Sequence, residues 1–209
     1  MKKLFRCLFS WQVAYPSFEE IERNVLFATQ KKQPVVILTH DIGLCEGNTP
    51  GRGNRSMALT LARTMRMFPS VPVLAQLGVA LALEELGYKA TQTIGPTASG
   101  TPLDHSTLVY NSHKVVTDQR EWLEAHGMFP ALALTIATPL HMGRVKWIME
   151  KQGFEMLPVP LPTGSQREYM DPQGLYLSVR LAGKFPGGVL VFFLREVLAR
   201  LLFLWKGWL

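Results

Sequence analysis

The chain places a histidine and an arginine three residues apart, directly after an apolar run typical of a β-strand. The run is ALALTIA (131–137), and Thr138, Pro139, His141 and Arg144 follow it. Residues three apart share one face of a helix, so both side chains would project from the same side of a helix that begins here. An arginine guanidinium binds phosphate or carboxylate with two hydrogen bonds, and a histidine beside it can donate to the anion or transfer a proton. The pattern predicts an anion site, with a solvated arginine beside a first-turn histidine as the alternative.

A second histidine ends another apolar run. PVVILTH (34–40) is β-branched and uncharged until His40, which is the pattern of a buried parallel strand, and Asp41 follows it. An adjacent His and Asp can act as acid and base or bind a metal, although each alone more often caps a helix or hydrogen-bonds a loop. We take His141, Asp41 and His40 as the candidate catalytic residues.

A glycine-rich loop, DIGLCEGNTPGRGNR (41–55), follows the first strand. Its backbone N–H groups could hold an anion at the start of the next helix, or it could be a plain surface loop. It is not a dinucleotide fingerprint, because Ser56 replaces the third glycine of GxGxxG and no acidic residue follows VPVLAQ (71–76) to bind a ribose. The same missing acidic residue argues against methyl transfer from a nucleoside cofactor, and the cofactor stays unknown.

The segment LDHSTLVYNSHK (103–114) brings short polar residues to a predicted helix start, where such residues cap exposed N–H groups. Asn111 lies one turn on and could point back towards the ligand crevice. A triad drawn from Ser106, His141 and Asp41 is rejected, because the chain has no G-x-S-x-G turn. The candidate ligand-binding residues are Arg144, Thr138, Thr107, Asn111, Ser106, Gly43 and Arg55.

The elements that must position these residues alternate between strands and helices. The predicted strands are 34–40, 71–76, 89–94, 131–137 and 155–161. The predicted helices are 17–30, 56–68, 79–87, 106–126, 141–153 and 188–205. This alternation predicts βαβ units and an α/β fold with a mainly parallel sheet of about five strands. Ligands of such sheets bind beyond the carboxyl ends of the strands, where His40 and Thr138 fall.

Composition and charge narrow the partners. A net charge of +6 favours phosphorylated ligands or acidic membrane surfaces. The basic residues are scattered, so nucleic acid is not an expected partner. Cys7 and Cys45 form neither a disulfide scaffold nor a metal-ligand spacing, and no metal site is predicted. The C-terminal segment 187–209 is apolar but carries charges, so we expect a helix packed on the sheet or lying on an acidic lipid surface, not a membrane span.

Three segments together resemble a known family. TIATPLHMGRVKWIMEKQGFEMLPVP (135–160) has a threonine loop after a strand, then a His, an Arg three residues later, a Gly and a V-P-V-P-like strand. LREVLARLLFLWKGWL (194–209) has an RE…GW ending, and STLVYN (106–111) stands where a Ser/Thr…Asn motif would be. This pattern is similar to the YdcF/SanA/ElyC-like bacterial family (domain of unknown function 218). The resemblance covers residues 34–209, taken as one domain after an N-terminal segment, 1–33, with a short helix.

The resemblance implies a Rossmann-like three-layer fold and a link to cell-envelope or lipid-carrier metabolism. From Arg144 and the glycine-rich loop at the strand ends we expect a phosphorylated or nucleotide-like ligand, with hydrolysis or group transfer on an envelope precursor as the reaction if the chain is an enzyme. The alternative is a non-catalytic accessory protein peripheral to the membrane. We expect a cytoplasmic protein, peripheral to the inner membrane, whose N-terminal anchor is lost or shortened. Two motifs depart from the family: Thr107 and Asn111 lie one residue further apart than in T-x-E-N, and AQLG (75–78) replaces SGG.

Overall fold

The structure, a computed structural model, describes residues 13–41, 43–45, 49–95, 112–162, 169–173, 184 and 188–207. The strands are β1 (Val35–His40), β2 (Val73–Gln76), β3 (Gln92–Ile94), β4 (Leu132–Ala137) and β5 (Glu155–Pro158). The helices are α1 (Phe18–Gln30), α2 (Arg52–Met67), α3 (Leu77–Glu85), α4 (Ser112–Ala125), α5 (Pro139–Lys151) and α6 (Gly188–Trp205). All strand pairs are parallel, in the order β3-β2-β1-β4-β5. The predicted α/β fold with five parallel strands is confirmed.

The strand order reverses between β1 and β4. The chain runs outward from β1 through β2 to β3, then returns to the other side of β1 to form β4 and β5. Connections therefore leave the two central strands in opposite directions, and in open α/β sheets the ligand crevice lies at this point, beyond the carboxyl ends of the strands. The register sets His40 directly opposite Ala137, so Thr138 also enters this crevice.

Two apolar clusters make the three layers. β1 and β4 are buried along their whole lengths, as expected for strands covered by helices on both faces. One cluster packs α1, α2 and α3 on one face of the sheet, and the other packs α4, α5 and part of α6 on the opposite face. Val36 and Leu38 lie in the second cluster, and alternation along the strand turns His40 towards the same face.

Helix boundaries depend on both local and distant contacts. α1 begins as predicted, with a capping box in which Ser17 Oγ accepts from the Glu20 N–H and the Glu20 carboxylate accepts from the Ser17 N–H. α2 and α3 begin earlier than the predicted residues 56 and 79, at Arg52 and Leu77. Carboxylates from elsewhere in the chain satisfy N–H groups in both first turns, which the local sequence does not show.

The last helix, α6, has a buried face and an exposed face. Glu196, Arg200 and Phe203 lie on the face turned to the protein. Leucines and Trp205 occupy the opposite, solvent-facing side. Among the described residues, no helix combines the length and apolar character needed to cross a membrane.

Candidate functional site

His40 ends β1 at the crevice. Its side chain is fully buried, and neither ring nitrogen has a hydrogen-bond partner within the described chain. Burial, and after it the neighbouring His141 and Arg144 side chains, hold the pKa of His40 well below its usual value. The ring is therefore neutral at physiological pH and carries one N–H donor and one acceptor.

The start of α5 supplies the other predicted residues. Thr138 precedes the helix in an extended conformation and Pro139 stands in its first turn, where a missing N–H has no effect on the helix. The Thr138 hydroxyl does not cap the helix. It is completely buried and has no hydrogen-bond partner among the described residues. His141 and Arg144 share a helix face as predicted, with Arg144 Nη2 2.8 Å from His141 Nδ1.

The arginine fixes the tautomer of His141. Because a guanidinium can only donate, His141 Nδ1 must accept, and the ring proton must reside on Nε2. Nε2 lies 3.2 Å from Ser112 Oγ, so the ring donates to this hydroxyl. Burial and the Arg144 charge lower the pKa of His141 to about 4, opposed by the Glu196 carboxylate, and the ring is neutral at pH 7.

Glu196 completes the cluster from α6. Its Oε1 accepts from Arg144 Nη2 at 3.0 Å, and the two side chains are 0% and 7% exposed. The same oxygen lies 3.8 Å from His141 Nδ1, too far for a hydrogen bond. Burial raises the pKa of Glu196, but the Arg144 charge and the adjacent His141 outweigh it and lower the pKa to about 2. Glu196 is therefore an anion at neutral pH.

Several buried polar atoms around these side chains make no hydrogen bond within the described chain. Gln119 on α4 donates to the Thr39 carbonyl at 3.3 Å, beside His40, while its own oxygen is unused. The atoms without partners are His40 Nδ1 and Nε2, Thr138 Oγ1, Gln119 Oε1 and Glu196 Oε2. Buried polar atoms in folded proteins nearly always have partners, so this cluster indicates a place for water or a ligand.

The glycine-rich loop performs a structural task at the described positions. Asp41 accepts from the Gly43 N–H at 3.0 Å and from the Gly78 N–H at 2.9 Å, so its carboxylate caps α3. Burial raises the pKa of Asp41, and these two N–H groups oppose the rise. At the start of α2, the Asp171 carboxylate accepts from the Arg52 N–H at 3.1 Å, where the sequence suggested an external anion.

The structure therefore brings together only part of the predicted site. Four of the predicted residues lie together at the carboxyl ends of β1 and β4: His40, Thr138, His141 and Arg144. Arg55 instead forms a surface ion pair with Glu85, with a shorter distance of 2.9 Å. Ser106, Thr107 and Asn111 lie outside the described residues. The catalytic and ligand-binding roles assigned to all of these residues stay predictions.

Sequence reasoning missed Ser112, Gln119 and Glu196. The sequence offered one signal, for Glu196: it belongs to the RE pair of the C-terminal segment, which is part of the motif similar to the YdcF-like family. A charge in an otherwise apolar helix is read more readily as an interruption of the apolar run than as half of a buried ion pair.

A cleft with a defined volume lies elsewhere in the described structure. It holds about 360 Å³ and is lined by α1, α2 and the segment after β5, including Phe18, Leu59, Arg63 and Leu161. It contains none of the predicted site residues. Within the described ranges, no group of three or more His, Cys, Asp or Glu side chains is placed to hold a metal ion.

Comparisons with protein-family models, curated protein sequences and solved structures found no match. The YdcF-like resemblance therefore stays a hypothesis that rests on the quoted motifs.

Proposed function

We propose that this chain binds a phosphorylated or nucleotide-like ligand beyond the carboxyl ends of β1 and β4. The proposal extends to hydrolysis or group transfer on such a ligand in cell-envelope or lipid-carrier metabolism, a context suggested by the motifs in 135–160 and 194–209. The observation that supports it best is a cluster of buried polar atoms at the carboxyl ends of β1 and β4, next to a guanidinium. These atoms have no hydrogen-bond partner within the described part of the chain.

The donors near the crevice suit a phosphate better than a cation. Arg144 supplies a permanent positive charge in a planar fork, and such forks bind phosphate oxygens in pairs. Thr138 Oγ1 and the neutral His40 ring add donors that carry no charge. The ligand must share the guanidinium with Glu196, which holds Nη2 at 3.0 Å. The hydrogen bond to Glu196 orients the guanidinium before the ligand arrives, which lowers the entropy cost of ordering this side chain on binding.

The test is thermal unfolding of the protein with a panel of nucleotides, sugar phosphates and polyprenyl phosphates. A ligand at about 100 times its dissociation constant adds roughly 2.7 kcal/mol of stability. Thr138→Val is the informative variant, because it keeps the side-chain shape and removes a hydroxyl that has no hydrogen-bond partner among the described residues. We expect weaker ligand stabilisation of this variant with little change in the unliganded protein. Arg144→Ala is less useful, because it would strip the buried Glu196 of this cation.

Thr64→Val is the matched control for Thr138→Val. Thr64 is equally buried but lies on α2, where its hydroxyl donates to the Thr60 carbonyl at 2.9 Å. This control should retain the full ligand-induced stabilisation. If no anion stabilises the wild-type protein, or if both variants respond to the ligand equally, the proposed site is wrong.

A second candidate function is that of a non-catalytic accessory protein that rests on acidic lipid through α6. Its support is an exposed apolar seam, in which Val191, Leu194, Leu198, Leu201 and Trp205 recur at alternating spacings of three and four. The least exposed member is Val191 at 39% and the most exposed is Trp205 at 82%. Such a stripe on a basic protein suits the interface of an anionic bilayer.

Sedimentation with anionic and with zwitterionic phospholipid vesicles tests this function. Deleting the helix would be uninformative, because it also removes Glu196 and Phe203 from the interior. Leu198→Glu changes only the seam and should abolish binding to anionic vesicles. Leu59→Glu is the control, because Leu59 is 56% exposed on α2, away from the seam. Equal binding by both variants would remove the lipid function, and self-association through the seam would appear as a mass increase in light scattering.

A further inference from the structure

Three side chains from three helices stand in the order of a nucleophilic triad. Ser112 begins α4, His141 lies in the first turn of α5, and Glu196 projects from α6. The serine Oγ is 3.2 Å from His141 Nε2, and the other ring nitrogen is 3.8 Å from Glu196 Oε1. A serine, a histidine and a carboxylate in this sequence of contacts are the parts that convert a hydroxyl into a nucleophile.

In this arrangement, Arg144 prevents the three groups from acting as a triad. A working triad needs the ring proton on Nδ1, directed at the carboxylate, so that Nε2 can take the proton of the serine. Here Arg144 Nη2 donates to Nδ1 at 2.8 Å and to Glu196 Oε1 at 3.0 Å, and thus stands between the two partners. The ring proton is therefore forced onto Nε2. This nitrogen donates a hydrogen bond to Ser112 and cannot act as a base.

We propose that Ser112, His141 and Glu196 form a catalytic triad that is completed when an anionic group of the substrate draws Arg144 away from His141 Nδ1. The proposal rests on the anion binding proposed above and adds a nucleophile and a substrate class to it. The substrate is a carboxylic ester with a phosphate or carboxylate group close to the scissile bond. Once Arg144 turns to that anion, the ring proton moves to Nδ1 through solvent and pairs with Glu196.

The reaction then follows acyl transfer to serine. Ser112 Oγ attacks the ester carbonyl carbon while its proton passes to His141 Nε2. The C–O bond to the alcohol breaks, and His141 returns the proton to the departing alcohol oxygen. Water attacks the acyl-serine with His141 again as base, which releases the carboxylic acid and restores the Ser112 hydroxyl.

A matched pair of chromogenic esters tests the dependence on an anion. The 4-nitrophenyl monoester of isophthalic acid carries a ring carboxylate that cannot attack its own ester, where 4-nitrophenyl 3-isopropylbenzoate has an isopropyl group of similar size. Wild-type protein should favour the anionic ester in kcat/KM by at least about 10-fold, the factor that corresponds to about 1.4 kcal/mol of transition-state stabilisation. Ser112→Ala should abolish hydrolysis of both esters. With inorganic phosphate present to draw Arg144 away from Nδ1, a serine-directed fluorophosphonate should modify Ser112, as located by peptide mass. Ser56→Ala is the control serine and should change nothing.

The role of Arg144 is tested separately. Arg144→Met removes the donor to Nδ1 and should lose the preference for the anionic ester while gaining activity on the neutral one. If this variant does not fold, inorganic phosphate replaces it. Phosphate should inhibit wild-type hydrolysis of the anionic ester and accelerate that of the neutral ester. Activity that survives Ser112→Ala, or a preference unchanged by Arg144→Met and by phosphate, would overturn the triad.

Failure of the triad is distinguishable from failure of anion binding. Ser112→Ala removes the nucleophile but leaves Arg144 and Thr138, so phosphorylated ligands should still stabilise this variant thermally. Stabilisation by phosphates without modification of Ser112 would retain the binding function and reject the triad. The absence of any thermal response to anions, together with equal rates on the two esters, would reject both.

Discussion

Replacing Glu196 by glutamine should destabilise the protein by about 3 kcal/mol, the lower end of the range found when one partner of a buried ion pair is removed. The carboxylate is completely buried and lies 3.0 Å from Arg144 Nη2. Glutamine keeps the shape and one hydrogen bond but loses the charge that compensates the guanidinium. In a chain of 209 residues, each kcal/mol shifts the melting temperature by about 2–4 °C, so we expect a fall of roughly 6–12 °C.

Urea unfolding measures this change, and the surface provides a control pair. Arg55 and Glu85 are 2.9 Å apart with side chains 52% and 46% exposed, so Glu85→Gln should cost less than about 1 kcal/mol. The double variant Arg144→Met with Glu196→Leu removes both charges and should recover most of the stability lost by Glu196→Gln. If Glu196→Gln costs no more than Glu85→Gln, or if the double variant is less stable than the single one, the buried pair does not hold α6 in place.

Two further predictions concern pH and the cap of α3. Burial and the Arg144 charge lower the pKa of His141 to about 4, and burial also depresses the pKa of His40. A depressed folded-state pKa means that the unfolded chain binds more protons, so stability should fall as the pH drops from about 6.5 to 4. His141→Gln should reduce this fall by on the order of 3 kcal/mol in urea titrations at pH 7 and pH 4, and an unchanged slope would contradict the assignment. In Gly78→Ala, the new Cβ would clash with Asn54 Nδ2 and would lie 2.8 Å from Asp41 Oδ2. Displacing these hydrogen-bonded groups should cost about 1–3 kcal/mol in the same assay, and a gain in stability from better helix propensity would contradict the packing.

The fold was predictable because its signals are local. β1 and β4 are continuous apolar runs, and the segments that follow them in the chain have helix-forming patterns. Alternation of this kind leaves few topologies, because crossovers between parallel strands are right-handed. The capping box of Ser17 and Glu20 at the start of α1 is a local signal of the same kind, since its two hydrogen bonds span only three residues.

The site was only partly predictable because its decisive contacts join distant residues. Glu196 lies 52 residues beyond Arg144, and Ser112 lies 29 residues before His141. Neither separation leaves a periodic trace in the sequence. Asp41 shows the converse case: its position beside His40 suggested chemistry, whereas its carboxylate is engaged by the N–H of Gly78, 37 residues away. Which role a polar residue takes at a strand end is decided by the donors that the fold brings to it.

The geometry of α6 connects the two candidate functions to separate faces of one helix. Glu196 and Arg200 lie one turn apart on the buried face, and Leu194, Leu198 and Trp205 lie on the exposed one. A charge placed on the seam leaves the ion pair to Arg144 intact, whereas a change at Glu196 leaves the seam intact. The two functions can therefore be tested independently by point substitutions but not by deletion. For the same reason, a lipid surface or second molecule bound to the seam would hold the helix that carries the carboxylate of the site.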